Sequence, residues 1–244
     1  MKAGKPRSRA RSASHGPSPL QALIGASLLT LALYWVPHAY LLAWPLILIS
    51  TLVHELGHGL TALLLGGRFV ALYIWPDASG RALYLGDFGR IRHALVAAGG
   101  LLGPSLLASA LFAAGRHPQS AKRMLGATAL VLLAVELIWV RNVFGAVFVG
   151  VLILVLGLLA RRASPLVAQI GVVFLAVQLA LSVFSRSDYL FMRTAVTAGG
   201  VGPSDTGQIA EALYLPYWFW GGLIALASLL LLWHGLRRFA AALR

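Results

Sequence analysis

Cysteine is absent from this 244-residue chain. That excludes disulfides, iron–sulfur clusters and thiolate zinc sites, so a metal here must be held by histidine and carboxylate. Charge is nearly as scarce: 11% of the residues are charged and only 7 are acidic, against 59% apolar. Soluble domains carry about 25% charged and about 45–50% apolar residues, so this chain lacks the polar surface that water demands. Its mean hydropathy of +0.82 belongs in a bilayer. A membrane-crossing helix takes roughly 20 mostly apolar residues, which leaves length for about seven spans and none for a separate soluble domain.

The net charge of +13 is concentrated first in Lys2, Lys5, Arg7, Arg9 and Arg11, directly before an apolar stretch. That position marks a cytoplasmic membrane flank rather than a nucleic-acid surface, and no nucleic-acid partner is expected. Apolar residues 20–36 show no clear small-residue cleavage site, so they read as an uncleaved first span. A second span runs over 39–65 and stops at Gly66-Gly67. Residues 69–75 and 81–85, rich in branched and aromatic side chains around a Pro76–Gly80 turn, predict a β-hairpin at the membrane surface. Further spans are expected over 94–114, 124–140, 143–160, 165–184 and 215–233, with 124–160 open to reading as one disrupted pair. A polar interval over 185–213 precedes the last span and holds a short helix capped by Ser204. The expected fold is an all-α polytopic membrane protein, a bundle of about six to seven transmembrane helices with a small β-hairpin after the second.

Within the second span stands His54-Glu55-Leu56-Gly57-His58. On a helix the two imidazoles share one face, about 6 Å apart along the axis, where one tetrahedral ion can take both. Glu55 falls beside that ion, placed to act as general base toward water activated there. The composition predicts roughly 0.002 chance matches to this pattern, an order-of-magnitude figure for motif coincidence. Ionisable residues in a span cost about 2.5–3.5 kcal/mol each, so three within five residues require compensation. His54 lies about 18 Å from the helix end in a hydrocarbon core about 30 Å thick, and hydrolysis there needs a polar cavity open to one side. Structural polar packing of the same three residues is the plain alternative.

These features, with the glycines from Gly99 to Pro104 and Ser204-Asp205 before Leu215-Pro216, resemble the site-2 protease class of intramembrane zinc metallopeptidases. The likeness is to its compact bacterial branch without a PDZ domain and covers residues 39–235. It implies a single transmembrane metallopeptidase-like domain over 19–238, between a basic disordered tail at 1–18 and a short tail at 239–244. It implies Zn²⁺ as cofactor, with His54 and His58 as ligands, Glu55 catalytic, and an aspartate from a later segment as third ligand. Asp205 in Pro203-Ser204-Asp205-Thr206-Gly207 is the nearest match, although Ser precedes and Thr follows the acid where the family has Leu-Asp-Gly; Asp188 competes. The expected location is a bacterial inner membrane with the N-terminus cytoplasmic.

The expected activity is zinc-dependent endoproteolysis of membrane-embedded or membrane-adjacent polypeptides, with the lipid bilayer as the other partner. The small side chains from Gly99 to Pro104 would let a neighbouring backbone come close, and Gly99, Gly100 and Gly103 would give an unwound substrate space; the hairpin edge would accept an extended substrate strand or, equally, serve as a lid or interfacial anchor. The alternative is a catalytically inactive membrane scaffold or regulator; metal transport would need polar stations on several spans. Glu136, Arg141 and Asn142 are expected to pair for burial rather than to catalyse. His38, His93, His117 and His234, and the Tyr and Trp residues around 73–84 and 214–220, are expected at the membrane interface.

Overall fold

The computed structural model describes residues 18–35, 40–185, 188–197 and 200–243. The elements run α1 (Pro19–Trp35), α2 (Tyr40–Leu64), β1 (Arg68–Ile74), β2 (Gly80–Leu85), α3 (Arg90–Gly115), α4 (Pro118–Ile138), α5 (Val143–Arg162) and α6 (Pro165–Ser185). After these come α7 (Asp188–Phe191), β3 (Thr194–Thr197), β4 (Gly200–Pro203), α8 (Asp205–Leu213) and α9 (Tyr217–Ala240). Among them α2, α3, α5, α6 and α9 are long and apolar enough to cross a membrane; α1 is shorter, and α4 completes the bundle. Their outward faces are apolar, with Leu64 86% and Val143 82% exposed, the inverse of a water-soluble surface.

The region 124–160 is two full helices. α4 begins at Pro118, ahead of the apolar run, because proline at the first helical position needs no hydrogen-bond partner. α9 extends to Ala240, and Phe239, expected in the tail, is buried against Phe112 of α3. α2 ends as its glycines predict: Gly66 adopts φ +86°, and the N–H groups of Gly66 and Gly67 donate to Leu63 and Ala62.

α2 and α3 pack antiparallel at backbone contact. A Cβ on Gly57 would stand 2.3 Å from the Gly99 carbonyl oxygen, and one on Gly103 would stand 2.8 Å from that of Val53. Small residues at such crossings let helices approach until dispersion and weak polar contacts replace the missing hydrophobic drive. Gly99, Gly100 and Gly103 are therefore filled by α2 and leave no space for substrate.

The hairpin is where the structure departs most from expectation. It does not lie at the surface but runs back along α2, from Gly59, which Phe69 covers, to Trp44, whose Nε1 donates to the Pro76 carbonyl at 2.8 Å. That stretch of α2 is about 22 Å long. Non-helical backbone at such depth persists only where every edge is paired or faces water. The outer edge of β1 is paired by the α4–α5 connector: Leu72 N–H donates to Trp139 O at 2.7 Å, and Arg141 N–H donates to Leu72 O at 3.0 Å. Asn142 closes the next rung with its side chain, its Nδ2 donating to Ile74 O at 2.6 Å and its Oδ1 accepting from Ile74 N–H at 3.3 Å. Trp139 stacks on Phe69 and donates to its carbonyl. Arg141 and Asn142 thus serve backbone groups, Arg141 through the carbonyls of Ile138 and Val140, and Glu136 lies against Gly150 of α5 rather than with Arg141.

A second small core, built from Ala94, Ala97 and Leu101 of α3, Leu190 of α7, Ile209 and Ala212 of α8 and Ile224 of α9, holds α8 beside α3. β3 and β4 form an antiparallel pair leading directly into α8, an element that the polar interval did not announce.

Candidate metal centre

His54 and His58 project from one face of α2, and α8 delivers Asp205 to the same point. Nε2 of His54 and Nε2 of His58 are 3.1 Å apart; Oδ2 of Asp205 is 3.1 Å from the first and 3.4 Å from the second. Tetrahedral zinc with bonds of about 2.0–2.1 Å sets its donors about 3.3–3.4 Å apart, so this triangle has the size that such an ion requires. The tautomer fits as well. His58 Nδ1 lies 2.9 Å from the Val96 carbonyl, so in the neutral ring the proton sits there and Nε2 presents a bare lone pair to the triangle. Two imidazole nitrogens and a carboxylate, largely removed from water, make a donor set suited to a divalent cation.

Local sequence explains each placement. Gly100 of α3 clears the His58 ring, since a Cβ there would fall 2.2 Å from Nε2. Asp205 opens α8 immediately after Ser204, whose Oγ caps the helix by accepting from Gly207 N–H at 3.0 Å. Ser204 N–H is anchored on Arg193 O, and the Cβ position of Gly207 would lie 2.4 Å from that same oxygen, so the start of α8 sits tightly on the segment that joins α7 to β3. Gln208 reaches Asp205 Oδ1 at 3.4 Å from one turn further along.

The triangle opens on a cavity of about 370 Å³. Its walls are the His54–His58 face of α2, the second strand of the hairpin, Pro104 of α3, Ser182 of α6 and the β4–α8 segment. Glu55 lines this cavity without joining the triangle, and its Oε2 accepts the Ala82 N–H of β2 at 2.7 Å. Leu72 and Ala82 are cross-strand partners, and Leu72 turns both backbone groups toward the connector. Ala82 correspondingly turns its own toward α2 and the cavity. β1 is therefore the closed edge and β2 the open one.

Of the residues singled out in the sequence, His54, His58 and Asp205 meet, with Glu55 beside them. The side chain of Asp188 and the whole of His38 lie outside the described residues. His93, His117 and His234 are not among the cavity-lining residues, whereas Trp75 and Tyr84, expected in an interfacial belt, are. Tyr214 and Trp218 are exposed, and Arg90 covers the Tyr214 ring at 3.8 Å. The backbone partners Val96 and Ala82 had no counterpart in the sequence reading, because a main-chain group has no residue-type signature, and neither had the clearance that Gly80 gives Glu55.

A family model described as Peptidase M50B-like matches residues 24–235. Among curated proteins and among solved structures, nothing matches the chain.

Proposed function

Because the chain belongs to the Peptidase M50B-like family, we propose that it is a zinc-dependent intramembrane endopeptidase acting on membrane-embedded or membrane-adjacent polypeptides. The observation that carries this reading is the tetrahedral spacing of His54, His58 and Asp205 with a glutamate in the same cavity. Zinc bound by those three would supply Lewis acidity toward a carbonyl oxygen and acidify water.

The chain's own groups do the rest. Val96 O fixes the His58 tautomer, Gln208 steadies Asp205, and Glu55 takes a proton from water and returns it to the leaving amine. A substrate segment must unwind before its peptide bond can be attacked, and the open edge of β2 offers an extended chain backbone partners along the cavity. Proline scanning for strand addition therefore belongs in 80–85, not in 69–74, where the edge is already closed. The protein would reside in a bacterial cell membrane with its N-terminus cytoplasmic.

The test compares wild type with Glu55→Gln, both purified with stoichiometric zinc, on a panel of transmembrane peptides. Cleavage by wild type and a loss of roughly 10²- to 10⁴-fold in the variant is the expected result. Equal substrate loss in both would refute the peptidase and leave the scaffold or regulator reading.

A further inference from the structure

Glu55 is the most flexible member of the site, a carboxylate on three rotatable bonds, and what holds it is main chain. Ala82 N–H, on the open edge of β2, donates to Oε2 at 2.7 Å. The approach is possible because the preceding outward-facing residue is Gly80, where a Cβ would stand 2.7 Å from both Glu55 Cγ and Thr51 Cγ2. Thr51 Oγ1, one turn before Glu55, donates to Ala78 O at 2.8 Å and ties the turn that leads into this strand to α2. From the other side Asn142 and Trp139 fix β1, so the amide that meets Glu55 cannot slide.

We infer that the Gly80–Ala82 segment of β2 is a positioning element for the catalytic carboxylate: the Ala82 amide anchors one oxygen of Glu55, directing the other to the reacting water. This rests on the peptidase reading above and adds to it a main-chain group that acts through Glu55. The Ala82 amide is thereby committed to Glu55, so it is not a hydrogen-bond rung for an extended substrate, although its neighbours on the same edge are open to that use.

Two measurements decide this. In the first, the protein is labelled with ¹⁵N-alanine in detergent micelles, and the Ala82 amide is assigned by its loss in Ala82→Pro. Its proton resonance is expected to move upfield in Glu55→Ala and its hydrogen exchange to accelerate on the order of tenfold, as an anchor on a charged acceptor disappears. An unchanged shift and rate would overturn the inference whether or not the protein is a peptidase.

The second is kinetic. Ala82→Pro removes only an outward-facing N–H, which an edge strand tolerates, whereas Leu83→Pro removes an inward one and is expected to unfold the hairpin. Ala82→Pro is expected to lower kcat about tenfold or more with KM unchanged and zinc retained. A raised KM with unchanged kcat would make the amide a substrate rung and overturn the assignment, as would wild-type kinetics. Should Ala82→Pro fail to fold, Gly80→Ala, whose Cβ displaces Glu55 directly, must give the same kcat loss. Should wild type and Glu55→Gln both cleave nothing, the function reading fails, and the resonance measurement alone decides whether the anchor exists.

Discussion

Replacing Gly100 by alanine adds one methyl group where the structure has no room for it. The built Cβ falls 2.2 Å from Nε2, 2.3 Å from Cε1 and 2.7 Å from Cδ2 of His58. Ordinary contact begins near 3.4 Å, so the ring must retreat by more than about 1 Å, several times the tolerance of about 0.2 Å for a metal–ligand distance. α3 could relieve the clash only by giving up the backbone-contact packing that Gly57 and Gly103 allow against α2. Displacing a ligand outright should exceed the 10- to 100-fold cost seen for partners that merely orient one, so zinc affinity is expected to fall at least about 100-fold. Overpacking adds a destabilisation of about 1–3 kcal/mol. Competition for zinc against a chelator of known affinity, with thermal unfolding in parallel, measures both. Gly222→Ala, with nothing within 4 Å of its added methyl, is the control and should match wild type. Equal zinc affinity in Gly100→Ala and wild type would refute the geometry of the site.

Other outcomes follow from the same contacts. Asp205→Asn should lose zinc on dialysis while Asp188→Asn retains it, as read by metal analysis; the reverse would give the third ligand to Asp188. Ser204→Ala removes the cap of α8 and should cost about 1 kcal/mol in thermal unfolding, with a weaker hold on zinc because Asp205 is the next residue. Asn142→Leu leaves Ile74 N–H and C=O unpaired and should destabilise the protein by about 1–3 kcal/mol. Removing zinc by chelation should lower the unfolding temperature, corresponding to about 2.7 kcal/mol where free zinc had stood at 100 times its Kd.

What the sequence disclosed was chemistry confined to a single helix or turn. His54, Glu55 and His58 are legible because their relation is fixed by the pitch of α2. Gly66 and Ser204 are legible because a left-handed glycine and a capping hydroxyl act within a few residues. Asp205 needed a family resemblance, since nothing local joins it to a helix far earlier in the chain. The depth of the hairpin was hidden because the groups that close its edge, Trp139 to Asn142, lie in a connector whose polar residues looked like an isolated burial problem. α4 and α9 ran past their apolar stretches because hydropathy marks the lipid-facing length of a helix, whereas the hydrogen-bond ladder continues to its proline start or its last buried side chain.

The sealing of β1 by the α4–α5 connector also fixes an order of assembly. Synthesis proceeds from the N-terminus, so both hairpin strands emerge before their partner at Trp139–Asn142 exists, and Asp205 emerges later still. Until α5 has inserted, one edge of the nascent hairpin has only water for its donors and acceptors. The half-made protein must therefore keep this segment outside the hydrocarbon, and draw it alongside α2 only once the second half has arrived.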